Sequence, residues 1–426
     1  MPLAAASLAP RRVSVPTDFR PESGLARPGV RAARTVLRRG FGFDPMPGEE
    51  VVEAFTADMW RGDPFAERFV AEVLDGPRGR RAGRKLLDAA LADGVSTVPD
   101  VPDSMGALFA EFESVPSWVD RDLVEQGAAI WRRWGTDLFA VAGAETLEMY
   151  TESAVALPLS LAGGYAGDNA LRRFLETVRF WIDVSEPGAL LRIGSPGRAT
   201  AMRVRVMHVG VRQRVGSHAE WSAERWGVPI SQAWATMTLM GGSIVPAMLM
   251  WPLGYQTSAS EIRALLHYQR FLGWLLGVQP TWYPSNVRES IQLTFLASAG
   301  RTYTAGEHGA ELIESFPRAF APRGDGERGV VAAARARYHH RLICAYTAMC
   351  MAQGTRRRYD LPPMLPWVLI AAARFPVVAA GEIARRVVPG FDARTDRRSR
   401  RRREAWYAEQ MAGREAAFEA ASSLRR

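Results

Sequence analysis

His208 has the sequence surroundings of a metal ligand. It stands in the segment MRVRVMHVGVR, residues 202–212. On a helix, Val204, His208 and Val211 share one face, so the imidazole would project from an apolar wall. A ring nitrogen there can bind haem iron, while the apolar side chains pack on the porphyrin and exclude water. Two other interpretations stay open: a buried core histidine and, because Arg and Val alternate here, a strand position.

Three arginines accompany this histidine in the same segment. Arg203, Arg205 and Arg212 lie within five residues of His208. Guanidinium groups form strong, bidentate ion pairs with carboxylates. The sequence therefore predicts that these arginines can pair with the propionates of a haem whose iron His208 binds.

A second group of polar residues precedes the histidine. Arg173 and Thr177 are four residues apart. If the segment is helical, the guanidinium and the hydroxyl project to the same side. In an apolar pocket they can donate hydrogen bonds to bound dioxygen or peroxide and stabilise the negative charge that develops there. The alternative is an ordinary amphipathic helix with a surface ion pair.

Several common kinds of catalytic site are absent from the sequence. Cys344 and Cys350 are the only two cysteines, which excludes a disulfide framework and a cysteine-rich zinc or iron–sulfur site. The six histidines form no spaced metal-binding pair with a nearby carboxylate. No glycine-rich phosphate loop, HExxH or GxSxG motif occurs.

Helices should position these residues, because apolar residues recur at helical spacing and strand patterns are scarce. One helix should begin near Glu49. A long helix should cover Arg121–Tyr150, with Asp120 as its N-cap. Another should begin at Asp168 or Asn169 and end at Glu186–Pro187–Gly188.

The chain is large enough for a sizeable core, with 426 residues of which 47% are hydrophobic. We predict an all-α protein with one large helical domain over residues 46–390. A partly irregular N-terminal arm over residues 1–45 precedes it. A basic C-terminal tail that contains a helix follows over residues 391–426.

Two apolar segments raise the question of a membrane. Residues 226–260 contain no charged side chain, but Gly, Ser, Thr and Pro interrupt them, which favours a central core helix over a membrane span. Residues 361–381 can instead lie against a membrane surface. No secretory or twin-arginine signal is recognisable near the N-terminus. We expect a cytoplasmic protein, with association to a membrane left open.

Six of the seven residues 397–403 are arginines. Such a run is usually a solvated, mobile tail. Binding of nucleic acid or anionic lipid is the alternative. Because no aromatic residue interleaves with the arginines and no nucleic-acid-binding motif precedes them, we expect no nucleic acid partner.

Four segments, in order along the chain, resemble the latex-clearing rubber oxygenase family, which includes the oxygenase type of the mycophenolic-acid pathway. The first two are RFLETVRF, which begins at Arg173, and RVMHVGVR, which contains His208. The other two are WGVPISQ, which begins at Trp226, and HYQRFLGWLLGV, which begins at His267. Together they fall within residues 100–300.

The resemblance implies a helical fold with a globin-like core that holds one haem b. It implies that His208 is the proximal iron ligand, that Arg173 and Thr177 lie on the distal side, and that dioxygen is a reactant. It also implies a distal glutamate that acts as a base on the substrate. Glu148 and Glu152 precede Arg173 at a suitable distance, and Glu152 is our choice.

The sequence departs from the best-known rubber oxygenase at the distal side. That enzyme has a lysine just before the distal threonine, whereas this chain has Glu176 there. A carboxylate would make a different sixth ligand to the iron, or none. Because no export signal is recognisable, we expect a soluble terpenoid, a lipid or another intracellular alkene as substrate in preference to solid rubber.

The sequence therefore predicts a haem-b-dependent oxygenase that acts on a hydrophobic, unsaturated small molecule. Two alternatives are a haem-binding sensor or carrier without catalysis, and a cofactor-free helical protein that associates with membranes.

Overall fold

The regular structure is helical throughout the residues that the computed structural model describes, namely 14–162, 170–322, 329–359, 361, 365 and 367–411. This confirms the predicted all-α fold class. The N-terminal third contains α1 (Pro21–Leu25), α2 (Pro28–Phe41), α3 (Glu49–Asp58), α4 (Pro64–Phe69), a π-helical turn (Val70–Leu74), α5 (Gly79–Asp93), a 3-10 turn (Val95–Thr97), α6 (Asp103–Glu113) and α7 (Arg121–Met149).

The middle and the C-terminal part continue this pattern. They contain α8 (Ser153–Leu161), α9 (Ala170–Ser185), α10 (Pro196–Gly216), α11 (Ala223–Trp226), α12 (Gln232–Gly241), α13 (Ile244–Met250), a 3-10 turn (Trp251–Leu253), α14 (Ala259–Leu275), α15 (Val287–Gly300), α16 (Gly306–Ala319), α17 (Val330–Cys350), α18 (Gln353–Arg356), α19 (Trp367–Ala372), α20 (Phe375–Val387) and α21 (Phe391–Met411).

Helix α7 is the central element and packs against α9, α13, α14, α17 and α21. Asp120 caps it as predicted, because its Oδ1 accepts hydrogen bonds from the backbone of Asp122 and Leu123. The helix is kinked at Gly135, whose φ of 62° and ψ of −141° are non-helical. Glycine tolerates this conformation because it lacks a Cβ. The apolar stripe in the sequence did not reveal the kink.

The other predicted helices are also present. Helix α3 begins at Glu49, and α9 ends at Ser185, directly before the predicted stop. The predicted caps Asp168 and Asn169 lie outside the described residues. His208 lies on α10, so the strand interpretation of its segment is wrong.

The uncharged segment 226–260 forms two principal helices, α12 and α13, which are separated at Gly242–Ser243. By length and composition, Gln232–Leu253 is one candidate membrane span, but 67% of its best window is buried within the protein. A helix that is apolar all round and covered by protein is typical of a core. The predicted core role of this segment is therefore supported. The segment forms two helices, however, where the sequence predicted one.

The C-terminal arginine run is part of α21 as far as the described residues extend, to Met411. Ser399 and Arg403 are buried, and α21 packs on α7 and α9. Arg403 donates to Ser185 Oγ at 2.8 Å and to Glu186 Oε1 at 3.0 Å. The expectation of a mobile tail is therefore wrong for residues 391–411, although Arg397, Arg398, Arg401 and Arg402 are exposed to solvent as expected.

Two large apolar clusters fill most of the described interior, and a small third cluster contains Ala156, Ala305 and Leu312. The first cluster joins α7, α9, the first half of α10 and α14, and the second joins α3, α8, the last turns of α10, α12 and α15. Helix α10 contributes to both, with Val206 and Val209 in the first cluster and Val211 and Val215 in the second. The boundary between the clusters therefore crosses α10 near His208.

Candidate functional site

His208 is a neutral imidazole that forms no hydrogen bond with any described residue. Burial, and then the nearby charge of Arg212, lower its pKa to about 4, while Asp63 opposes the shift. The residue is nevertheless only half-buried, so its side chain keeps some accessible surface. One of its two ring nitrogens is therefore unprotonated at neutral pH and can bind a metal.

The local sequence explains how α10 presents this ring. Ser195 caps the helix by accepting a hydrogen bond from the backbone of Arg198 at 3.2 Å. Val204 and Val211 lie one turn before and after His208 on the same face, and both are 8% exposed. The apolar wall that the sequence predicts around the imidazole is therefore present.

Arg205 lies among protein carboxylates. It is 1% exposed. Its Nε donates to Asp63 Oδ2 at 2.7 Å and its Nη2 to Asp63 Oδ1 at 2.9 Å, while Nη1 donates to Glu111 Oε2 at 2.6 Å. Buried carboxylates so close to a guanidinium satisfy its charge within the protein. The structure therefore does not support the predicted contact of Arg205 with a haem propionate.

Arg212 and Arg203 are also engaged by protein groups. Arg212 donates to Glu67 Oε1 at 3.0 Å and to the carbonyl oxygens of Pro229 and Ile230 at 3.0 and 2.8 Å. Arg203 pairs with the exposed carboxylate of Asp88 at 3.0 Å. The arginines of this segment thus anchor α10 to its neighbours, and the structure does not place them as propionate ligands.

Arg173 and Thr177 lie on the first half of α9, as predicted. Arg173 Nη1 donates to Glu176 Oε2 at 2.7 Å, and Arg172 Nη1 donates to Glu176 Oε1 at 3.2 Å. Thr177 Oγ1 donates to the carbonyl oxygen of Arg173 at 3.2 Å. Glu176, which stands in place of the family's lysine, is thus held by two guanidinium groups on its own helix.

Helices α9 and α10 pack against each other. They meet where Thr200 Oγ1 donates to Asp183 Oδ2 at 3.0 Å. Arg173 and Thr177 therefore lie on a direct neighbour of the helix that carries His208.

Neither glutamate that the sequence suggested as a base is free. Glu152 accepts hydrogen bonds from the backbone of Thr302 at 3.0 Å and of Tyr303 at 2.9 Å. Glu148 pairs with Arg301 at 3.1 Å and accepts from Thr355 Oγ1 at 2.9 Å. Both carboxylates thus connect the region between α7 and α8 to residues 301–303 and to Thr355 by hydrogen bonds and an ion pair. The choice of Glu152 as the base is therefore not supported.

Glu145 is the carboxylate that the sequence interpretation missed. It lies on α7 and is 7% exposed, and neither of its oxygens has a hydrogen-bond partner among the described residues. Burial raises the pKa of Glu145 well above the ordinary value, because apolar surroundings disfavour the charged carboxylate. A buried, unpaired carboxyl group is costly for stability, and such groups occur mostly at functional sites.

Glu145 also lies next to residues of both apolar clusters. Ala144 and Leu147, on either side of Glu145, belong to the first cluster. A Cβ built on Gly241 of α12 would be 3.1 Å from Glu145 Oε1, and the preceding residue, Met240, belongs to the second cluster. The carboxyl group of Glu145 is therefore enclosed by apolar packing between α7 and α12.

A signal for Glu145 was present in the sequence. Leu138, Val141 and Ala142 end the apolar stripe of α7, and the next helical step falls on Glu145. A charged residue that continues an apolar stripe must be buried or must interrupt the packing.

No group of three or more metal-ligating side chains occurs among the described residues, so protein ligation of the kind found in zinc sites is not seen there.

Comparison with known proteins gives a family and a fold. The family model described as "ER-bound oxygenase mpaB/B'/Rubber oxygenase, catalytic domain" matches residues 130–385, which include Glu145, Arg173, Thr177 and His208. A solved structure of latex clearing protein LCP in the closed state is similar, with a TM-score of 0.53 and 18% sequence identity over 86% of this chain and 95% of that one. No curated protein sequence matches.

Proposed function

The chain belongs to the family of the ER-bound oxygenase mpaB/B' and rubber oxygenase catalytic domain, and from this we propose that it is a haem-b-dependent oxygenase of a hydrophobic, unsaturated substrate. Members of the family are oxygenases, so the chain is an oxidoreductase. The haem, the use of dioxygen and the substrate class are our proposal.

His208 is the observation that carries the proposal. A haem iron needs a neutral imidazole that projects from an apolar wall into an accessible space. The imidazole of His208 is unprotonated, free of hydrogen bonds to described residues and flanked by Val204 and Val211. These residues fit a haem with His208 as its protein ligand, and a globin-like placement of the haem against α10 belongs to the same proposal.

When bound, a haem would supply the activation of dioxygen, and the residues of this chain would bind, orient and exchange protons. Arg173 and Thr177, on the helix that packs beside α10, can donate hydrogen bonds to an oxygen atom that gains negative charge. The apolar clusters on both sides exclude water, which strengthens these hydrogen bonds. For this role Arg173 must divide its donors between Glu176 and the reacting oxygen.

We propose Glu145 as the group that holds the proton, in place of Glu152. Burial disfavours the charged form of its carboxyl group and so favours retention of the proton. Once ionised in the same apolar surroundings, the carboxylate would be a stronger base than an exposed one and could remove an allylic proton. A carboxyl group at the boundary of the apolar clusters thus suits proton exchange with an apolar substrate.

Oxygen-isotope labelling tests the proposal. Haem-loaded protein is reduced, incubated under ¹⁸O₂ with squalene or short cis-isoprene oligomers, and the products are reduced at once with borohydride for mass spectrometry. Cleavage of one carbon–carbon double bond by one dioxygen forms two carbonyl groups, so each product should carry one ¹⁸O. Products that lack the label, or an absence of oxygen uptake with every unsaturated probe, would contradict the proposal.

A further inference from the structure

The apolar side of helix α20 is exposed to solvent, and its polar side packs against the protein. Glu382 is 3% exposed and pairs with Arg133 and Arg385 beneath the helix. On the opposite side, residues at spacings of four, three and four form an exposed apolar face. Its members, which we call the apolar face, are Pro376, Ala380, Ile383 and Val387.

This exposure is large for apolar side chains. Ile383 is 60% exposed and Val387 is 69% exposed. A surface helix normally turns such residues to the core. Here the ion pairs of Glu382 fix the opposite orientation, because rotation of the helix would break the pair that Glu382 forms with Arg133 of α7. The exposed side is therefore built into the fold.

The apolar surface continues onto neighbouring elements. Helices α19 and α20 both pack on the 3-10 turn Trp251–Leu253. Trp251 is 55% exposed and Leu369 of α19 is 61% exposed. Large contiguous apolar patches on soluble proteins mark interaction sites, and tryptophan favours the boundary between water and lipid.

Five arginines of α21 form an unpaired basic surface directly after this helix. The chain passes from α20 to α21 through residues 388–390 only, and the two helices pack together. None of the five forms an ion pair with a described residue, whereas Arg400 and Arg403 turn inward to Glu186. The five line one shallow groove, and we call them the arginine stripe: Arg394, Arg397, Arg398, Arg401 and Arg402.

We propose that the apolar face of α20 and the arginine stripe of α21 dock the protein on a membrane surface that contains anionic lipid. The apolar side chains would enter the headgroup region, and the guanidinium groups would contact lipid phosphates and carboxylates. Charge complementarity selects this partner, because five unpaired cations within about 12 Å of helix repel one another unless anions cover them. The proposal does not depend on the haem or on the oxygenase activity.

Co-sedimentation with vesicles tests the proposal on the full-length protein. We expect binding to vesicles of phosphatidylcholine with 30% phosphatidylserine, and much weaker binding to phosphatidylcholine alone. Removal of three charges by Arg394→Gln, Arg398→Gln and Arg401→Gln should weaken the binding roughly 100-fold, at about fivefold per arginine. The double variant Ile383→Ser, Val387→Ser should weaken it roughly tenfold or more.

Matched variants elsewhere control for charge and hydropathy. Arg31→Gln, Arg38→Gln and Arg39→Gln remove the same charge from exposed positions of α2, and Val330→Ser, Val331→Ser removes two exposed valines of α17. Both should bind vesicles as the wild type does, and circular dichroism should show that all variants fold.

Three results would overturn the proposal. One is an absence of binding to anionic vesicles at low salt. Another is an equal loss of binding in the control variants. The third is evidence that another partner covers this surface. Such evidence would be tight binding of RNA or DNA through the arginine stripe without vesicle binding. It would also be a dimer in sedimentation velocity that dissociates in the variant Ile383→Ser, Val387→Ser.

Discussion

Glu145 and Glu148 are three residues apart on α7 and have opposite environments. Glu145 is buried without a partner among the described residues, whereas Glu148 pairs with Arg301 and accepts from Thr355. A raised pKa in the folded protein means that the unfolded chain ionises first as the pH rises. The carboxyl group of Glu145 therefore costs increasing stability above the ordinary glutamate pKa of 4.5, until the folded pKa is reached.

We predict that Glu145→Gln raises the melting temperature of the haem-free protein at pH 8. The amide carries no charge to desolvate, so the gain should be about 1–3 kcal/mol, or about 1–3 °C for a chain of this length. The gain should shrink as the pH falls through 4.5, because the carboxyl group is neutral in both the folded and the unfolded states only below that value. Differential scanning calorimetry across this pH range measures the effect.

Glu148→Gln is the matched control and should lower the melting temperature, because it weakens the ion pair with Arg301. A fall in melting temperature for Glu145→Gln at pH 8 as large as that for Glu148→Gln would contradict the unpaired environment of Glu145.

At the residue scale, the apolar surroundings of His208 could be predicted, whereas Glu145 was not among the candidates. The valines around His208 in sequence are also its neighbours on α10, because helical periodicity is local. The sequence favoured Glu152 over Glu148 as the base without showing that both have partners, because Arg301 and Thr302 lie some 150 residues away in sequence. Only the folded structure shows which of the carboxylates has no partner.

The buried ion pairs of Arg205 fix α10 as an element. Arg205 joins α10 to Asp63, which caps α4, and to Glu111 of α6. We predict that Arg205→Ala destabilises the haem-free protein by about 3–5 kcal/mol, because two buried carboxylates lose their cation. Arg203→Ala, which breaks the exposed pair with Asp88, should cost at most about 1 kcal/mol.

Chemical denaturation of the two variants makes this comparison. Equal and small losses, together with weaker haem retention in Arg205→Ala, would instead favour the propionate contact that the sequence suggested.

Helix α21 is an integral element whose two sides differ. We predict that Arg403→Ala lowers the free energy of unfolding by about 1–3 kcal/mol, because the fully buried guanidinium bonds to Ser185 and Glu186. Arg402→Ala, one residue earlier on the exposed side, should change it by less than about 0.5 kcal/mol. Urea titration distinguishes the two, and indistinguishable variants would show that residues 391–411 do not pack as described.

At the element scale, the sequence predicted where helices form, but it did not predict where a helix kinks or which other helices it packs against. Apolar spacing and the Asp120 cap sufficed for α7, but the kink at Gly135 depends on how that glycine packs beside Ser399 of α21. The arginine run looked solvated because composition alone does not show that every third or fourth residue meets buried partners on α7 and α9.

The described part of the molecule is organised around two large apolar clusters with a boundary that crosses α10. The separation of the clusters cannot be read from the sequence, because each cluster unites helices that are far apart along the chain. The family resemblance supplied the expectation of a haem. The structure adds that neither His208 near this boundary nor Glu145 on α7 has a hydrogen-bond partner among the described residues.

The visible absorption spectrum tests the central claim most directly. We compare the purified wild type with His208→Ala and with a control variant, His267→Ala, before and after reduction with dithionite. His267 is a suitable control because its ring already accepts a hydrogen bond from the backbone of Asp120. We predict a Soret band that shifts on reduction in the wild type and in His267→Ala, and that is lost or altered in His208→Ala. A wild-type protein that contains no haem and takes up none when it is added would contradict the claim, and so would an unchanged spectrum in His208→Ala.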